Sequence, residues 1–291
     1  MSATATLDRP ADPAGTGSTG TNESAGARRI GDAFRRARLE RRVALVPYVV
    51  AGYPDAATSL RIALAAIDAG ADVLEVGLPY SDPLADGATL QRASQVALAA
   101  GATLNGSLRL IEEISAARPS TVVVPMGYAN QFLGGGDGGP AARRLAAAGA
   151  SGVIVADLTP DEGAPFEAVA RANDLAVVYL VAPTTPANRR AAIAARSGGF
   201  LYCVSLVGVT GARSTLPPSV GKLVREVVAA SPVPVGVGFG VSRPAHVRAI
   251  AKAGAGGVIV ASALVDALGP DGTNLDAMAA LVTRLREATG T

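Results

Sequence analysis

From residue 30 onward, short runs of consecutive apolar residues alternate with longer segments in which apolar residues recur every three or four positions. The runs are typical of parallel β-strands covered on both faces, and the longer segments are typical of amphipathic helices. The pattern predicts an α/β fold, a (β/α)8 TIM barrel, because eight such units occur in about 260 residues. The eight runs are residues 44–50, 72–77, 121–126, 152–157, 176–181, 200–205, 233–239 and 257–262.

Two weak repeats agree with this register. AGA precedes a strand at 69–71, 148–150 and 253–255, where its glycine would end the preceding helix. GVIVA occurs at 152–156 and 257–261, in the fourth and eighth predicted strands, half a barrel apart. An open doubly wound sheet is the alternative fold, but no GxGxxG follows the first strand.

The N-terminal segment differs from the rest of the chain. Residues 1–28 are rich in Ser, Thr, Gly, Ala and Pro and show no apolar periodicity, so we expect a disordered extension. Residues 29–291 would then form a single barrel domain. The extension has neither the apolar stretch of a secretory signal nor the acid-poor composition of a mitochondrial transit peptide, and we expect a cytoplasmic protein.

An extra N-terminal helix is predicted at 28–42. Helical spacing places Ile30, Phe34 and Leu39 on one side of it. This side would cover the N-terminal end of the barrel.

Composition narrows the classes of function. A net charge of +2 gives no basis for a nucleic-acid-binding surface. The sequence contains no run of 18 apolar residues, so no membrane span is predicted. Cys203 is the only cysteine and lies in an apolar run, which is typical of a core residue in a reducing compartment. His246, the only histidine, is expected at the surface near the start of a helix. The chemistry must therefore proceed without a Ser–His pair or a Cys/His metal site.

Glu75 is unusual because it lies within the apolar run 72–77 while no predicted strand core carries Lys or Arg. An unpaired, desolvated carboxyl has a raised pKa and can donate a proton near neutral pH. Active sites of parallel barrels lie at the C-terminal ends of the strands, and the loop after this strand adds Asp82 and Asp86. Two carboxyls in different environments can divide the acid and base roles.

Three elements lie at the ends of the last predicted strands: the glycine-rich stretches 208–214 and 236–242, and the segment 260–265, which opens a short helix. TIM barrels often bind phosphate with the loops after strands seven and eight and the start of a short helix. Ser262 would add a hydroxyl to such a site. Because there is no Walker motif, the phosphate is expected on a small molecule rather than on ATP.

LEVGLPYSDPLADG (74–87), together with GVTGAR, GFGVS and GVIVASALV, resembles the tryptophan synthase alpha chain family over residues 30–289. The resemblance implies retro-aldol cleavage of indole-3-glycerol phosphate to indole and glyceraldehyde 3-phosphate. It implies that Glu75 protonates indole C3 and assists the glycerol hydroxyl, while Asp86 binds and deprotonates N1–H. Asp82 would be structural or lie at a subunit contact.

The resemblance also implies a pocket, a partner and a cofactor. Tyr202 would lie near Glu75, and Thr210 would contact Asp86 as its loop closes. The partner would be a beta chain in an α2β2 heterotetramer, with pyridoxal phosphate in the beta chain and no cofactor in this chain. The remaining pocket residues would be Tyr48 and Tyr128 around the indole and Gly211, Gly240 and Ser262 around the phosphate.

The sequence departs from the family pattern at Ala88, at Ala261 and in the glycine-rich stretch 126–139 that usually faces the beta chain. Two alternatives therefore stay open. One is a stand-alone indole-3-glycerol phosphate lyase that releases free indole. The other is a non-catalytic barrel that serves as an allosteric subunit. A sugar-phosphate isomerase is a weaker fourth hypothesis, because it would not explain the spacing of Glu75 and Asp86.

Overall fold

The structure, a computed structural model, describes residues 23–204, 217–238 and 240–290. The predictions for Thr210 and Gly211, and the predicted disorder of residues 1–22, concern residues outside this described part.

The described strands alternate with helices along the chain. The strands are β1 (Ala44–Val50), β2 (Val73–Gly77), β3 (Val122–Gly127), β4 (Gly152–Val155), β5 (Ala176–Val178), β6 (Leu180–Val181), β7 (Leu201–Val204), β8 (Val235–Gly238) and β9 (Gly257–Val260). The helices are α1 (Ala25–Leu39), α2 (Ala56–Asp68), α3 (Ala88–Ala99), α4 (Leu104–Ala117), α5 (Ala129–Leu133), α6 (Gly139–Ala147), α7 (Pro160–Ala172), α8 (Ala187–Arg196), α9 (Pro218–Ala230), α10 (Pro244–Lys252), α11 (Ser262–Ala267) and α12 (Leu275–Glu287).

All strand pairs of the sheet are parallel, in the order β5-β4-β3-β2-β1-β9-β8-β7-β6. The two strands at the ends of this order are separated by the single residue Tyr179, whose carbonyl accepts a hydrogen bond from the Tyr202 amide at 3.0 Å. The fifth predicted strand is thus divided, and its first half pairs with β4 while its second half pairs with β7. This closes the sheet, and the predicted TIM barrel is confirmed.

Helix α1 covers the N-terminal end of the barrel, as predicted. Ile30 and Phe34 are buried, and the Phe34 ring stacks on Phe200 with the ring centroids 5.2 Å apart. A side chain at Gly152 would contact Ile30, and one at Gly257 would lie 2.6 Å from the Phe34 ring. The repeated GVIVA segments therefore begin with glycine where α1 packs against opposite sides of the barrel.

The bounds of α1 differ from the prediction. The helix begins at Ala25 because the Ser24 hydroxyl accepts a hydrogen bond from the Ala27 amide, an N-cap that was not recognised. Residues 25–28 are therefore helical. The helix ends at Leu39, which is 78% exposed, so placing Leu39 on the buried side was wrong.

The glycines of the three AGA segments end helices, as predicted. Gly70, Gly149 and Gly254 have φ values of 111°, 92° and 95°. This is the left-handed region that glycine adopts without steric penalty, and each residue follows the last turn of α2, α6 or α10.

The prediction that Cys203 is a core residue is confirmed, but the prediction that His246 lies at the surface is wrong. Cys203 is fully buried in β7, and burial raises the pKa of its thiol to about 12. His246 is only 2% exposed, because the first turn of α10 faces the barrel and its Nδ1 accepts a hydrogen bond from the Ser242 amide. No helix in the described part of the chain is long and apolar enough to cross a membrane.

Candidate active site

Glu75 lies inside the barrel near its C-terminal end. It pairs in register with Tyr48 on β1 and Val124 on β3, and residues paired in this way project on the same face of the sheet. Its exposed fraction is 1%, and neither carboxyl oxygen has a hydrogen-bond partner among the described residues. Burial, and then the nearby Asp86 carboxyl, raise the pKa of Glu75 to about 8. The expected unpaired, desolvated acid is present.

Asp86 lies on the loop after β2 and is only partly buried. Burial raises its pKa to about 6, and a hydrogen bond from the Tyr128 hydroxyl opposes that rise because it stabilises the carboxylate. Near neutral pH Glu75 is therefore mostly protonated while Asp86 is mostly ionised. The two carboxyls therefore lie in different environments, one fully buried and one partly exposed.

Two tyrosines complete the interior around these acids. Burial raises the pKa of both the Tyr48 and Tyr202 hydroxyls, and the charges of Glu75 and Asp86 raise them further. Tyr202 lies two residues after Phe200 on the inner face, and the two rings are 6.3 Å apart. Both tyrosines and both acids therefore face the same interior space.

Glycines on the strands make room for the two tyrosine hydroxyls. A Cβ atom at Gly77 would lie 1.8 Å from the Tyr48 hydroxyl, and one at Gly238 would lie 2.5 Å from the Tyr202 hydroxyl. Any larger residue at Gly77 would displace Tyr48, since 1.8 Å is far inside van der Waals contact. These glycines allow aromatic residues at the mouth of a narrow barrel.

The loop after β3 holds the loop after β2. The Tyr128 hydroxyl accepts a hydrogen bond from the Ala85 amide at 3.1 Å, besides donating to Asp86. The Tyr128 ring stacks on Tyr80, with centroids 5.1 Å apart. Tyr128 therefore joins the loop after β3 to the loop that carries Asp86.

Two of the three predicted phosphate residues, Gly240 and Ser262, belong to the described part of the chain and follow adjacent strands. Gly240 follows β8 and has a φ of 77°, which explains why a glycine is present. Ser262 is the first residue of α11, separated from the end of β9 by one residue. Ala261 precedes it with a φ of −121°, a value that needs no glycine, so alanine is compatible with the turn there.

Comparisons with known proteins agree with this geometry. The sequence model described as "Tryptophan synthase alpha chain" matches residues 34–290. The tryptophan synthase alpha chain of Roseiflexus castenholzii is 46% identical over 240 residues, which cover 82% of this chain and 91% of the relative. That of Mycobacterium ulcerans is 45% identical over 249 residues, which cover 86% of this chain and 91% of the relative.

Solved structures give the same result. A chain of Mycobacterium tuberculosis tryptophan synthase superposes with a TM-score of 0.82 at 41% identity, covering 90% of this chain and 98% of that chain. The chain belongs to the tryptophan synthase alpha chain family.

Five of the site residues that the family resemblance implies lie in one cluster: Glu75, Asp86, Tyr48, Tyr128 and Tyr202. Asp82 is not among them. It is exposed and accepts a hydrogen bond from the Ser81 hydroxyl within the loop.

Two glutamines that contact Asp86 or its loop were missed in the sequence. The Gln91 side-chain amide donates to the backbone carbonyl of Asp86 at 3.0 Å. Gln131 accepts a hydrogen bond from the Tyr128 amide and donates one to the Pro79 carbonyl, both at 3.0 Å. Gln131 had a detectable sequence feature, since Gln three residues after an N-cap position is typical of a capping box. The contact of Gln91 has no comparable feature.

Proposed function

We propose that this chain catalyses the alpha reaction of tryptophan synthase, the cleavage of indole-3-glycerol phosphate to indole and glyceraldehyde 3-phosphate. The observation that carries the proposal is the buried, unpaired Glu75, which holds a proton near neutral pH beside an ionised Asp86. Cleavage of the bond between indole C3 and the glycerol chain requires indole to become a leaving group, and this pair supplies both proton transfers for that step.

The proton transfers proceed in two stages. Asp86 accepts the indole N1 proton while Glu75 gives its proton to C3, and the substrate becomes the 3H-indole tautomer. Glu75, now a carboxylate, then takes the proton of the adjacent glycerol hydroxyl as the carbon–carbon bond breaks. The bonding electron pair returns to the ring, Asp86 returns its proton to N1, and indole and the aldehyde are released. Both carboxyls end in their starting states.

The surrounding residues would bind and orient the substrate. Tyr48, Tyr128 and Tyr202 offer rings at the mouth of the barrel, where an indole can lie between them. Gly240 and Ser262 would bind the phosphate, and the proposal adds Gly211 to that site and Thr210 as the residue that contacts Asp86. Placement of the phosphate after β8 and β9 is supported by the general use of this end of TIM barrels.

We assign the partner and its cofactor by family membership. The partner would be a beta chain in an α2β2 heterotetramer, in which pyridoxal phosphate belongs to the beta chain. Leu84 supports a docking surface beside the active site, since it is 93% exposed on the loop that carries Asp86. The single cysteine supports a reducing, cytoplasmic location.

The experiment is an assay of indole release by the pure full-length chain, with and without a beta chain. We expect turnover that the beta chain increases, and a loss of at least about a hundredfold in kcat for both Glu75→Gln and Asp86→Asn. Asp82→Asn is the matched control, because it removes a carboxylate from the same loop outside the cluster. Turnover near that of the unaltered chain in Glu75→Gln would contradict the proposed mechanism.

The same assay separates the two alternatives. High activity that a beta chain does not change would indicate a stand-alone lyase. Binding of indole-3-glycerol phosphate without turnover in either condition would indicate a non-catalytic subunit.

A further inference from the structure

The side chain of Gln131 on α5 reaches from the loop after β3 to the loop after β2. Its Oε1 accepts the Tyr128 amide hydrogen at 3.0 Å, and its Nε2 donates to the Pro79 carbonyl at 3.0 Å. Pro79 belongs to the loop after β2, which carries Asp86. One side chain therefore joins the loop after β3 to the start of the loop that carries the carboxylate.

Tyr128 makes the second connection between these loops. Its hydroxyl accepts from the Ala85 amide and donates to Asp86, while its ring stacks on Tyr80. Pro79, Tyr80 and Ala85 are thus contacted at three points by one short segment around Tyr128. The position of the Tyr128 hydroxyl depends on its backbone, and Gln131 binds that backbone.

A glutamine suits this position for a chemical reason. The two contacts need an acceptor for an N–H group and a donor for a carbonyl at the end of the same side chain. The primary amide supplies both, whereas a carboxylate lacks the donor and an aliphatic chain lacks both. The side chain of Gln131 is partly buried, so water competes for these bonds less than it would at an exposed site.

We propose that Gln131 is a positioning residue that fixes the Asp86 carboxylate, through Tyr128 and Pro79, in the orientation needed to accept the indole N1 proton. This inference rests on the proposed function for its catalytic consequence, but the structural coupling of Gln131 to Asp86 stands apart from it. The competing explanation is that Gln131 only caps the start of α5.

The surroundings of Asp86 define what a change at Gln131 would alter. The hydrogen bond from Tyr128 favours the ionised form of Asp86, so a displaced Tyr128 hydroxyl would raise the pKa of Asp86. Gln91 holds the backbone of Asp86 from α3 and is unaffected by the change. Within the described part of the chain, the titratable groups coupled to the site are Glu75 on β2, Tyr48 on β1, Tyr202 and Cys203 on β7, Tyr128 after β3 and Asp157 after β4.

The test follows the titration of Asp86 by NMR in the full-length chain with labelled aspartate carboxyls, the resonance being assigned with Asp86→Asn. The variants are Gln131→Met, which keeps the length but removes both hydrogen bonds, Tyr128→Phe, and the two combined. Gln131→Asn, one methylene too short to reach both partners, serves if the Met variant does not fold. Gln95→Met is the matched control, because Gln95 is an exposed glutamine on α3.

We expect Gln131→Met and Tyr128→Phe each to raise the pKa of Asp86, and the double variant to raise it no further. In the cleavage assay, Gln131→Met should lower kcat about tenfold and leave KM within about twofold, because the proton acceptor rather than substrate binding is disturbed. Gln95→Met should change neither the titration nor kcat.

Two results would overturn the proposal. One is an unchanged titration of Asp86 in Gln131→Met, with only a lower melting temperature, which would leave Gln131 as a cap of α5. The other is additive pKa shifts in the double variant, which would mean that Gln131 does not act through Tyr128. If the unaltered chain does not cleave the substrate, the proposed function fails while the NMR result still decides the coupling.

Discussion

At the residue scale, the pKa values of Glu75 and Asp86 predict a bell-shaped pH dependence of kcat/KM. In the proposed mechanism Asp86 must be ionised to accept the N1 proton, and its pKa is about 6. Glu75 must be protonated to donate to C3, and its pKa is about 8. Values of kcat/KM should therefore fall below about pH 6 and above about pH 8. Because the two carboxyls interact, the two apparent pKa values of this profile describe the pair rather than either residue alone.

Initial rates of indole release between about pH 5 and pH 9 would check this profile. Asp82→Asn should keep both limbs in place, since that carboxylate lies outside the pair. A rate that is constant across the whole range would contradict the assigned protonation states.

The buried Glu75 also makes stability depend on pH. The unfolded chain loses this proton near its ordinary value of 4.5, whereas the folded chain keeps it to about 8. Between these values the unfolded state binds fewer protons, so the free energy of unfolding falls as pH rises. Glu75→Gln removes this dependence, and at pH 8 the variant should be more stable than the unaltered chain by about 4 kcal/mol.

Urea unfolding at about pH 4 and pH 8 measures the effect. At the lower pH the glutamine replaces a protonated carboxyl of the same shape, so the two proteins should be equally stable. An equal stability difference at both pH values would show that packing, rather than the proton, is responsible.

At the element scale, the apolar runs were sufficient to place the strands, but not to find the division at Tyr179. Residues 176–181 form one uninterrupted apolar run, and nothing in it marks where pairing changes from β4 to β7. The pairing partner changes at Tyr179 because the sheet closes into a barrel, and closure depends on all the strands together rather than on residues 176–181 alone. The left-handed glycines of the AGA segments were predictable because their conformation is local.

Helix α1 provides a prediction about packing. Phe34 is buried between Phe200 and Gly257, whereas Leu39 on the same helix is 78% exposed. Phe34→Ala should lower the free energy of unfolding by about 3–4 kcal/mol, since it leaves a cavity beneath the barrel. Leu39→Ala, the control on the same helix, should change it by less than about 0.5 kcal/mol.

Chemical denaturation of both variants distinguishes these values. Equal losses in the two variants would mean that α1 does not close the barrel by inserting Phe34.

At the scale of the whole molecule, the sequence was sufficient to identify the candidate acid Glu75, but not the contacts that hold the neighbouring loops in place. Glu75 could be identified because the predicted strand cores contain no Lys or Arg, and this can be read directly from the sequence. The contacts of Tyr128 with Ala85 and Asp86 join residues more than 40 positions apart, and they exist only because β2 and β3 are neighbours in the ring. The burial of His246 likewise depends on how α10 packs against the barrel.

The candidate active site and the contacts that close the barrel lie at its two opposite ends. The acids and tyrosines lie at the C-terminal ends of the strands, while α1 and an ion pair lie at the opposite end. In that pair the Arg42 guanidinium donates to both oxygens of Asp72 at 2.6 and 2.8 Å, and Asp72 also accepts from the Leu45 amide. The adjacent Val43 amide donates to the Thr289 carbonyl, so the C-terminal segment is held there too.

Arg42→Met should therefore affect stability but not turnover. The Arg42 and Asp72 side chains are 8% and 12% exposed, and loss of the cation leaves a carboxylate that is poorly solvated. We expect the free energy of unfolding to fall by about 3 kcal/mol, with kcat unchanged because the candidate active site lies at the other end of the barrel.

Arg118→Met is the matched control. It breaks the ion pair between Arg118 and Asp68, whose side chains are 40% and 54% exposed, respectively. Its free energy of unfolding should fall by less than about 1 kcal/mol. A fall in kcat of Arg42→Met under conditions where the variant is fully folded would show that the two ends of the barrel are coupled.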